Sequence, residues 1–463
     1  MSTPLAAEPL GARHTLPGWI RQGLIAAGVF VACWGGAIVW WRVSARAPGP
    51  REWLALLFGL PLTALLAALV GGKWIARRAT APADTIPATP AQASGAAAHP
   101  ERTRHMAILA TALRAPHGAS VEDLAAAIAD NRARPDPDRV LVDDDGCPVM
   151  CARCPDARDD ALQDDVIAWL AAHGTEDPHF GAEQWRALTL ASAVAAELAG
   201  RAAIEWIVRD DAFPRLQVLP LLPADWSAGQ RDAAAAWLRH TVAQAGWQGE
   251  IGQAASGADP AAGIARLADI AAAADRPCVT LVVACASHVG DATVARWTRD
   301  RTLFTATQPQ GMMPGEGAAG LLLAASSDGG AAALLAPPEH VQDDPAADVR
   351  RHDGARVLEA LVERTLAHAD VDAADVAMIV ADTGHRARHL LELMEYASAR
   401  LRQLDGSADV VRVGAAGGYS GIVAFVTALA LASHYAIGRQ APVLCIANEM
   451  PGCRLAALVR PAV

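Results

Sequence analysis

The sequence is short of positive charge, of cysteine and of phosphate-binding motifs. Its formal net charge is −11 at pH 7, whereas a protein that grips nucleic acid through its phosphates needs a basic face. The 8 cysteines among 463 residues do not form the dense framework of a disulfide-stapled secreted domain, which favours a reducing compartment. Neither a Walker loop nor a dinucleotide-binding fingerprint is present. These shortages argue against a nucleic-acid partner, and we predict no cofactor.

Apolar residues are abundant, and near the N-terminus they form two long uncharged runs. Residues 23–41 and 53–72 are each about long enough to cross ~30 Å of hydrocarbon as a helix. Tryptophans stand at the ends of these runs, where indoles favour the membrane interface. We therefore predict a membrane region at residues 1–78 that contains a transmembrane hairpin. The alternative, two buried core helices, would lack the interfacial tryptophans and the cationic flanks.

The basic residues around these runs predict the orientation of the hairpin. The loop between the runs contains three arginines, and the outer flanks contain five basic residues: Arg13, Arg21, Lys73, Arg77 and Arg78. The positive-inside rule then places both ends in the cytoplasm. We expect a multi-pass membrane protein whose soluble domain faces the cytoplasm. Residues 79–100, rich in Ala, Pro, Thr and Ser, are predicted to form a flexible linker.

The chain after the linker alternates between helical and extended patterns. Helices are predicted over residues 164–173, 184–198 and 230–245, and strands over residues 202–208 and 216–222. Such alternation indicates layers of helices packed on sheets.

Two stretches in the last 200 or so residues carry the strongest pattern. An apolar strand at residues 278–287 is followed, after a loop, by the turn Gly315-Glu-Gly-Ala318 and a second apolar strand. Further on, residues 410–433 predict a strand, the glycine-rich turn Gly414–Gly421 and a helix of small and apolar residues. A helix without a polar stripe is usually buried.

In this order the two stretches resemble the second half of a β-ketoacyl synthase, and the resemblance covers roughly residues 250–455. It implies a thiolase-like soluble domain at residues 101–463, with α/β/α/β/α layers built from a duplicated βαβαβ unit. The first half would span about residues 101–300 and the second about 301–463.

The same resemblance implies a cysteine nucleophile at the start of a buried helix and two histidines that hold a developing oxyanion. Before the helix predicted at residues 259–274, the nucleophile position falls on Ser256. The first histidine position falls on Asp382 and the second on Ala415. All three catalytic positions therefore lack their usual residue.

Other side chains could in principle replace the missing groups. Ser256 lies at the expected helix end, and His385 or His389 could act as its base if they lie within hydrogen-bond reach. The alternative for both histidines is a solvated helix face, beside Arg386 and Arg388. Catalysis by Ser256 and His385 remains the weaker interpretation.

Three cysteines lie close together outside the resemblance. Cys147, Cys151 and Cys154 have the CxxxCxxC spacing of the loop that binds an iron–sulfur cluster in radical S-adenosylmethionine enzymes. A zinc site would need a fourth ligand, such as His173 or His179. The preferred interpretation is an ordinary loop with thiols, because the following sequence does not predict the barrel of those enzymes.

A ketosynthase-like domain without its catalytic residues, joined to a membrane hairpin, resembles the lipase adapters of type VI secretion in Gram-negative bacteria. This resemblance implies a non-catalytic adapter at the bacterial inner membrane that brings a phospholipase effector to the secretion spike. The alternatives are an acyl-transfer or condensing enzyme with a rewired active site, and a membrane scaffold of another system.

Overall fold

A computed structural model describes most of the soluble part of the chain. The described residues are 105–175, 178–209, 213–254, 259–267, 278–325, 331–342 and 351–462. The contacts divide the chain into two parts, Met1–Ala98 and His99–Val463. All the described residues belong to the second part. The predicted hairpin, the predicted linker and Ser256 lie outside the described residues.

The described residues form 13 strands. They are β1 (Met106–Arg114), β2 (Asp136–Val142), β3 (Pro148–Cys151), β4 (Arg215–Leu221), β5 (Ile251–Gln253), β6 (Cys278–Ser287), β7 (Glu316–Ala325), β8 (Ala333–Leu335), β9 (Glu339–Gln342), β10 (Met378–Ala381), β11 (Val410–Arg412), β12 (Val443–Ala447) and β13 (Cys453–Pro461).

The α-helices of the described part lie between and after these strands. They are α1 (Val121–Ala129), α2 (Asp160–Ala172), α3 (Ala182–Arg209), α4 (Ala228–Gln244), α5 (Pro260–Ala265), α6 (Asp291–Arg299), α7 (Arg351–Ala369), α8 (Ala387–Arg400), α9 (Val413–Gly417) and α10 (Ile422–Arg439).

The strand order shows an internal duplication. The main sheet runs β11-β10-β12-β13-β8-β1-β7-β6-β4-β5, and β9 also pairs with β13. Apart from β9, its strands form two sets of five: the first unit, β1 and β4 to β7, and the second unit, β8 and β10 to β13. If the strands of each set are numbered along the chain, both sets have the order 3-2-4-5-1. In each set the fifth strand, β7 or β13, runs antiparallel to its neighbours. By strand order the first unit ends with β7 at Ala325, later than the division near residue 300 that the sequence predicted.

Alternating side chains along the strands produce the layers. On β6, Val282, Ala284 and Ala286 face one apolar cluster together with α10, whereas Leu281 and Val283 face another together with α3. Successive side chains of a strand point to opposite faces, so both faces of this sheet are covered. Helix α10 also contacts β10, β12 and β13, which places it between the strands of both units. Helices α7 and α8 cover the outer side of the strands of the second unit. The layers are therefore helix, strands of the first unit, helix, strands of the second unit, and helix.

Residues 202–208, predicted as a strand, are instead the end of α3, and that prediction was wrong. Ala202, Ala203 and Trp206 are buried, whereas Ile204 and Ile207 are exposed. This spacing follows the 3.6-residue period of a helix. Isoleucine and valine suggest a strand locally, but the packing of α3 on β6, β7 and β1 overrides that preference.

Two of the described helices resemble membrane spans by composition. Residues Ala182–Val208 and Ile422–Arg439 are long and apolar enough to cross a bilayer, but 67% and 72% of their most apolar windows are buried inside the protein. Buried core helices of this length pass the same test, so these two are weak evidence for membrane association.

Candidate functional site

The two glycine turns that carry the resemblance contact each other. The N–H of Gly315 donates to the carbonyl of Tyr419 at 3.1 Å, and the N–H of Tyr419 donates to the carbonyl of Met313 at 2.8 Å. A β-carbon on Gly315 would lie 2.1 Å from the carbonyl oxygen of Gly417, so only glycine permits this approach. The start of β7, in the first unit, is therefore fixed to the turn before α10, in the second unit.

The two predicted histidine positions also come together. Asp382 directly follows β10, and Ala415 lies in the short helix α9 after the neighbouring parallel strand β11. Gly414 packs so closely on the first of these turns that a β-carbon there would lie 2.1 Å from the carbonyl oxygen of Asp382. The two positions assigned from the resemblance therefore lie on neighbouring turns of the fold.

Asp382 is a buried carboxyl group held by the backbone of the next strand's end. Its side chain is 1% exposed, and its Oδ1 accepts the N–H groups of Asn448 at 2.8 Å and Glu449 at 3.1 Å. Burial, with the charge of Glu449 as a smaller cause, raises the pKa of Asp382 to about 8. At neutral pH this carboxyl group is largely protonated, unlike an ordinary aspartate.

Glu449 is the centre of the polar network around this site. Arg386 donates to Glu449 Oε1 at 2.6 Å, Gly384 N–H donates to Oε2 at 3.1 Å, and His389 Nδ1 lies 2.9 Å from Oε2. Burial opposes ionisation of Glu449, but the bonds and charges of His389 and Arg386 outweigh it and lower its pKa to about 2. The network therefore holds one ionised and one largely protonated carboxyl group, Glu449 and Asp382.

His385 and His389 do not lie on a solvated helix face, so that alternative was wrong. His389 faces Glu449 with only 13% of its side chain exposed. The ring of His385 lies edge-on to Phe304 with centroids 5.0 Å apart, and its Nε2 is buried without a hydrogen-bond partner among the described residues. Both histidines therefore contact neighbouring side chains of the protein.

Little space remains beside the paired glycine turns. A cavity of about 20 Å³ lies there, and Glu316, Ala416, Ser420 and Val423 are among the residues that line it. That volume holds about one water molecule. This cavity is too small for an acyl chain. Ser256 lies outside the described residues.

Glu316, at the start of β7, holds the segment before α2 and the helix α3 through its buried carboxylate. Its carboxylate accepts the N–H of Cys154 at 2.7 Å and the hydroxyl of Ser287 at 2.8 Å, and it forms an ion pair with Arg186 on α3. The side chain of Glu316 is fully buried. The motif glutamate thus has a structural role, because a buried carboxylate needs this full set of partners.

The structure separates the three neighbouring cysteines. Cys147 is exposed in the turn between β2 and β3, whereas Cys151 and Cys154 are buried. Cys147 and Cys151 are four residues apart along extended chain, about 13 Å, and the thiol of Cys151 donates to Asp138 at 3.1 Å. Burial raises the pKa of Cys151 to about 12. Among the described residues no group of three His, Cys, Asp or Glu side chains is placed to hold a metal ion.

Sequence analysis missed Glu449 and Arg386, which dominate the electrostatics of the site. The available signal was the polar pair Asn448-Glu449 directly after the apolar strand β12, at the same sheet edge as Asp382. The carboxyl ends of neighbouring parallel strands meet at one edge, and β10 and β12 are parallel neighbours.

Comparisons with known proteins agree with this architecture. No protein-family model matches the chain, and no curated protein matches it at a significant level. Among solved structures, the ishigamide ketosynthase/chain length factor matches with a TM-score of 0.50 and 16% identity, over 78% of this chain and 100% of that one. The ketosynthase from module 1 of the bacillaene synthase of Bacillus amyloliquefaciens matches with a TM-score of 0.54 and 12% identity, over 79% of this chain and 74% of that one.

A third match is the ketosynthase from module 6 of the bacillaene synthase of Bacillus subtilis. Its TM-score is 0.56 at 10% identity, over 78% of this chain and 72% of that one. At such identities the likeness concerns the fold, and function has to be argued from the site. The expectation of a thiolase-like domain is confirmed: the described part of the chain has the fold of the ketosynthases.

Proposed function

We propose that the soluble domain is a non-catalytic member of the ketosynthase fold that acts by binding another protein. The observation that carries this proposal is the replacement of both histidine positions, by Asp382 and Ala415, within a site closed around Glu449. The hydrogen bonds of this site join protein groups to one another.

The chemistry of the replacements supports a non-catalytic role. Stabilising an oxyanion requires hydrogen-bond donors aimed at the point where negative charge develops. Ala415 has no polar side chain, and the carboxyl of Asp382 already accepts the N–H groups of Asn448 and Glu449. Ala415 therefore cannot take the part that the resemblance assigns to a histidine, and Oδ1 of Asp382 is already bound to the protein's own backbone.

The more specific proposal is a membrane-tethered adapter that recruits a phospholipase effector to a type VI secretion spike. Its support is the order of the predicted parts: a hairpin and a linker before a ketosynthase-like domain whose catalytic positions are changed. A net charge of −11 would speed encounter with a basic partner surface. A tether would also raise the local concentration of the partner near a membrane-docked assembly.

The adapter proposal is tested by purifying tagged full-length protein from native membranes and identifying its partners by mass spectrometry. A tagged fragment of residues 1–100 serves as the control for proteins held by the membrane region alone. Recovery of a lipase-like effector or a spike component by the full-length protein only would support the adapter. Recovery of a different membrane assembly would favour the scaffold alternative.

The fold itself fits a second candidate, an acyl-transfer or condensing enzyme, better than it fits an adapter. The solved structures that match are ketosynthases. In addition, α5 begins at Pro260 shortly after β5, so Ser256 lies in the segment that precedes a helix, as the resemblance requires. An enzyme of this kind would need a nucleophile at that point and other groups in place of the two histidines.

This second candidate is tested by incubating the protein with malonyl and longer acyl thioesters and measuring its intact mass. A covalent acyl adduct on the native protein that disappears in Ser256→Ala would establish the enzyme and refute the non-catalytic proposal. An unchanged mass, with no release of carbon dioxide from the malonyl thioester, is the result we expect.

A further inference from the structure

A groove of about 620 Å³ opens on the outer face of the first unit, between α2, α3 and α4. Small residues of α3 form part of its lining: Thr189, Ser192, Ala193 and Ala196. Its volume is in the range of ligand-binding pockets. The groove is separate from the Asp382–Glu449 network, which lies at the strand ends of the second unit.

One side of the groove is aromatic. The rings of Trp169 and His240 are stacked with centroids 4.7 Å apart, and Trp237 meets Trp169 edge-on at 5.8 Å. Trp237 is held in place because its Nε1 donates to the hydroxyl of Ser192 at 2.9 Å. Indole faces attract cations and also pack well against aliphatic chains.

The other side of the groove is acidic. Asp156, Asp159 and Asp165 line it, all three are exposed, and the lining includes neither arginine nor lysine. Within the described part of the chain, none of these aspartates forms an ion pair with a basic side chain. Burial, and secondarily the nearby His173, lowers the pKa of His240, so this histidine is largely uncharged at neutral pH. The groove therefore has a net negative charge.

Thr189 provides a second indication that the groove binds a ligand. This residue is only 6% exposed and lines the groove, and its hydroxyl has no hydrogen-bond partner among the described residues. Buried hydroxyl groups are normally satisfied. A polar group of a bound ligand would supply the missing partner once the side chain of Thr189 turns its buried hydroxyl toward the groove.

We propose that this groove is the docking surface for a basic, amphipathic segment of a protein partner. Arginine or lysine side chains of the segment would meet the aspartates and the indole faces, and its apolar side chains would rest on the small residues of α3. Three carboxylates on one side exceed what a single ammonium group needs, which favours a segment with several cations over a lipid headgroup. The inference rests on the proposed binding function and names the place where the partner docks.

The test uses full-length protein and a fluorescent synthetic peptide in which arginine and leucine recur at helical spacing. The variant Asp156→Asn/Asp159→Asn/Asp165→Asn removes the charge of the groove, and asparagine can still cap α2 at residue 159. Its control removes the same charge from exposed positions elsewhere: Asp144→Asn/Asp145→Asn/Asp375→Asn. Fluorescence anisotropy should show binding weakened by about tenfold in the groove variant, which corresponds to a modest gain for each lost ion pair. The control variant should bind like the native protein.

Three results would overturn the docking surface: equal binding by the groove variant, equal binding of a peptide with glutamate in place of arginine, or equally tight binding of hexyltrimethylammonium. The last would identify a site for a single cationic headgroup.

The outcome also separates this inference from the proposed function. If the groove variant recovers the same partners from membranes as the native protein, a partner docks elsewhere and only the surface is refuted. If the peptide binds the groove but the native protein recovers no partner, the surface stands and the adapter proposal fails.

Discussion

At the scale of single residues, Asp382 shows how substitution at one position changes what a site can do. A carboxyl group buried at the end of β10 needs the backbone donors of Asn448 and Glu449, so it completes the protein's own hydrogen bonding instead of meeting a ligand. Its raised pKa also has a consequence for stability. Between the ordinary pKa of 3.8 and the folded pKa of about 8, the folded protein keeps a proton that the unfolded chain releases. Stability therefore falls as pH rises through this range.

Asp382→Asn should remove this dependence. Asparagine retains the oxygen that accepts the two N–H groups but does not ionise, so the variant should gain stability relative to the native protein as pH rises from 4 to 8, where the folded pKa lies. We expect a gain of up to about 5 kcal/mol at pH 8 and almost none near pH 4. Urea denaturation followed by tryptophan fluorescence at both pH values measures it. A difference that stays constant with pH would contradict the assignment.

The close packing of Gly414 against the turn at Asp382 can be tested by substitution. Gly414→Ala would place a β-carbon 2.1 Å from the carbonyl oxygen of Asp382, whereas a β-carbon on Gly417, three residues later, would meet nothing within 4 Å. We expect Gly414→Ala to destabilise the domain by about 3 kcal/mol and Gly417→Ala to change stability by less than about 1 kcal/mol. Thermal unfolding of the two variants compares them directly, and equal melting temperatures would refute the close packing.

At the scale of secondary-structure elements, sequence reasoning identified the continuous apolar runs correctly. It failed where the local propensity of the residues and their tertiary packing favoured different secondary structures. The buried strand β6 and the apolar helix α10 were identified because almost no polar residue interrupts them. The end of α3 was misassigned because its isoleucines and valine favour a strand, while burial of Ala202 and Trp206 fixes a helix. Contacts between elements distant in the chain, such as Glu449 with Arg386, leave no periodic signal and could not be predicted.

One buried ion pair fastens α8 to the strand beside it. Arg454 on β13 donates to Glu392 on α8 at 2.7 Å, and their side chains are 4% and 6% exposed. Arg454→Met should cost about 3–5 kcal/mol, because it leaves a buried carboxylate without its charged partner. The double variant Arg454→Met/Glu392→Met should recover most of that loss, and denaturant midpoints of the four proteins give the coupling. Additive effects in this cycle would show that the pair is not coupled.

At the scale of the whole molecule, the resemblance predicted the layers and the duplicated units, and the structure shows both. The repeat in strand order was beyond the sequence alone, because the strands β8, β10 and β11 have only three or four residues and the two units share no obvious sequence repeat. The turns at Asp382 and Gly414 could be located because each follows a short apolar strand, but the network around them depends on side chains brought together by the fold.

The arrangement of the parts also predicts where a partner binds. If the soluble domain carries the binding surface, deletion of Met1 to Ala79 should leave partner binding intact and abolish only membrane association. Affinity measured on a sensor surface with the partner recovered from membranes tests this, with the full-length protein in detergent as the control. Loss of binding on deletion would place the surface in the N-terminal region and contradict the proposal.

The first strand of the domain has a consequence for synthesis. Strand β1 pairs with β7, about two hundred residues later, and its first residues pair with β8 of the second unit. A ribosome that has released β1 therefore makes most of the first unit before either neighbour of that strand exists, and long-range pairing of this kind slows folding. During this interval Met106, Ile108 and Leu113, which are buried in the finished protein, have no neighbouring strand to pair with. The nascent chain thus carries an unpaired apolar strand, a site prone to aggregation, until synthesis has passed residue 325.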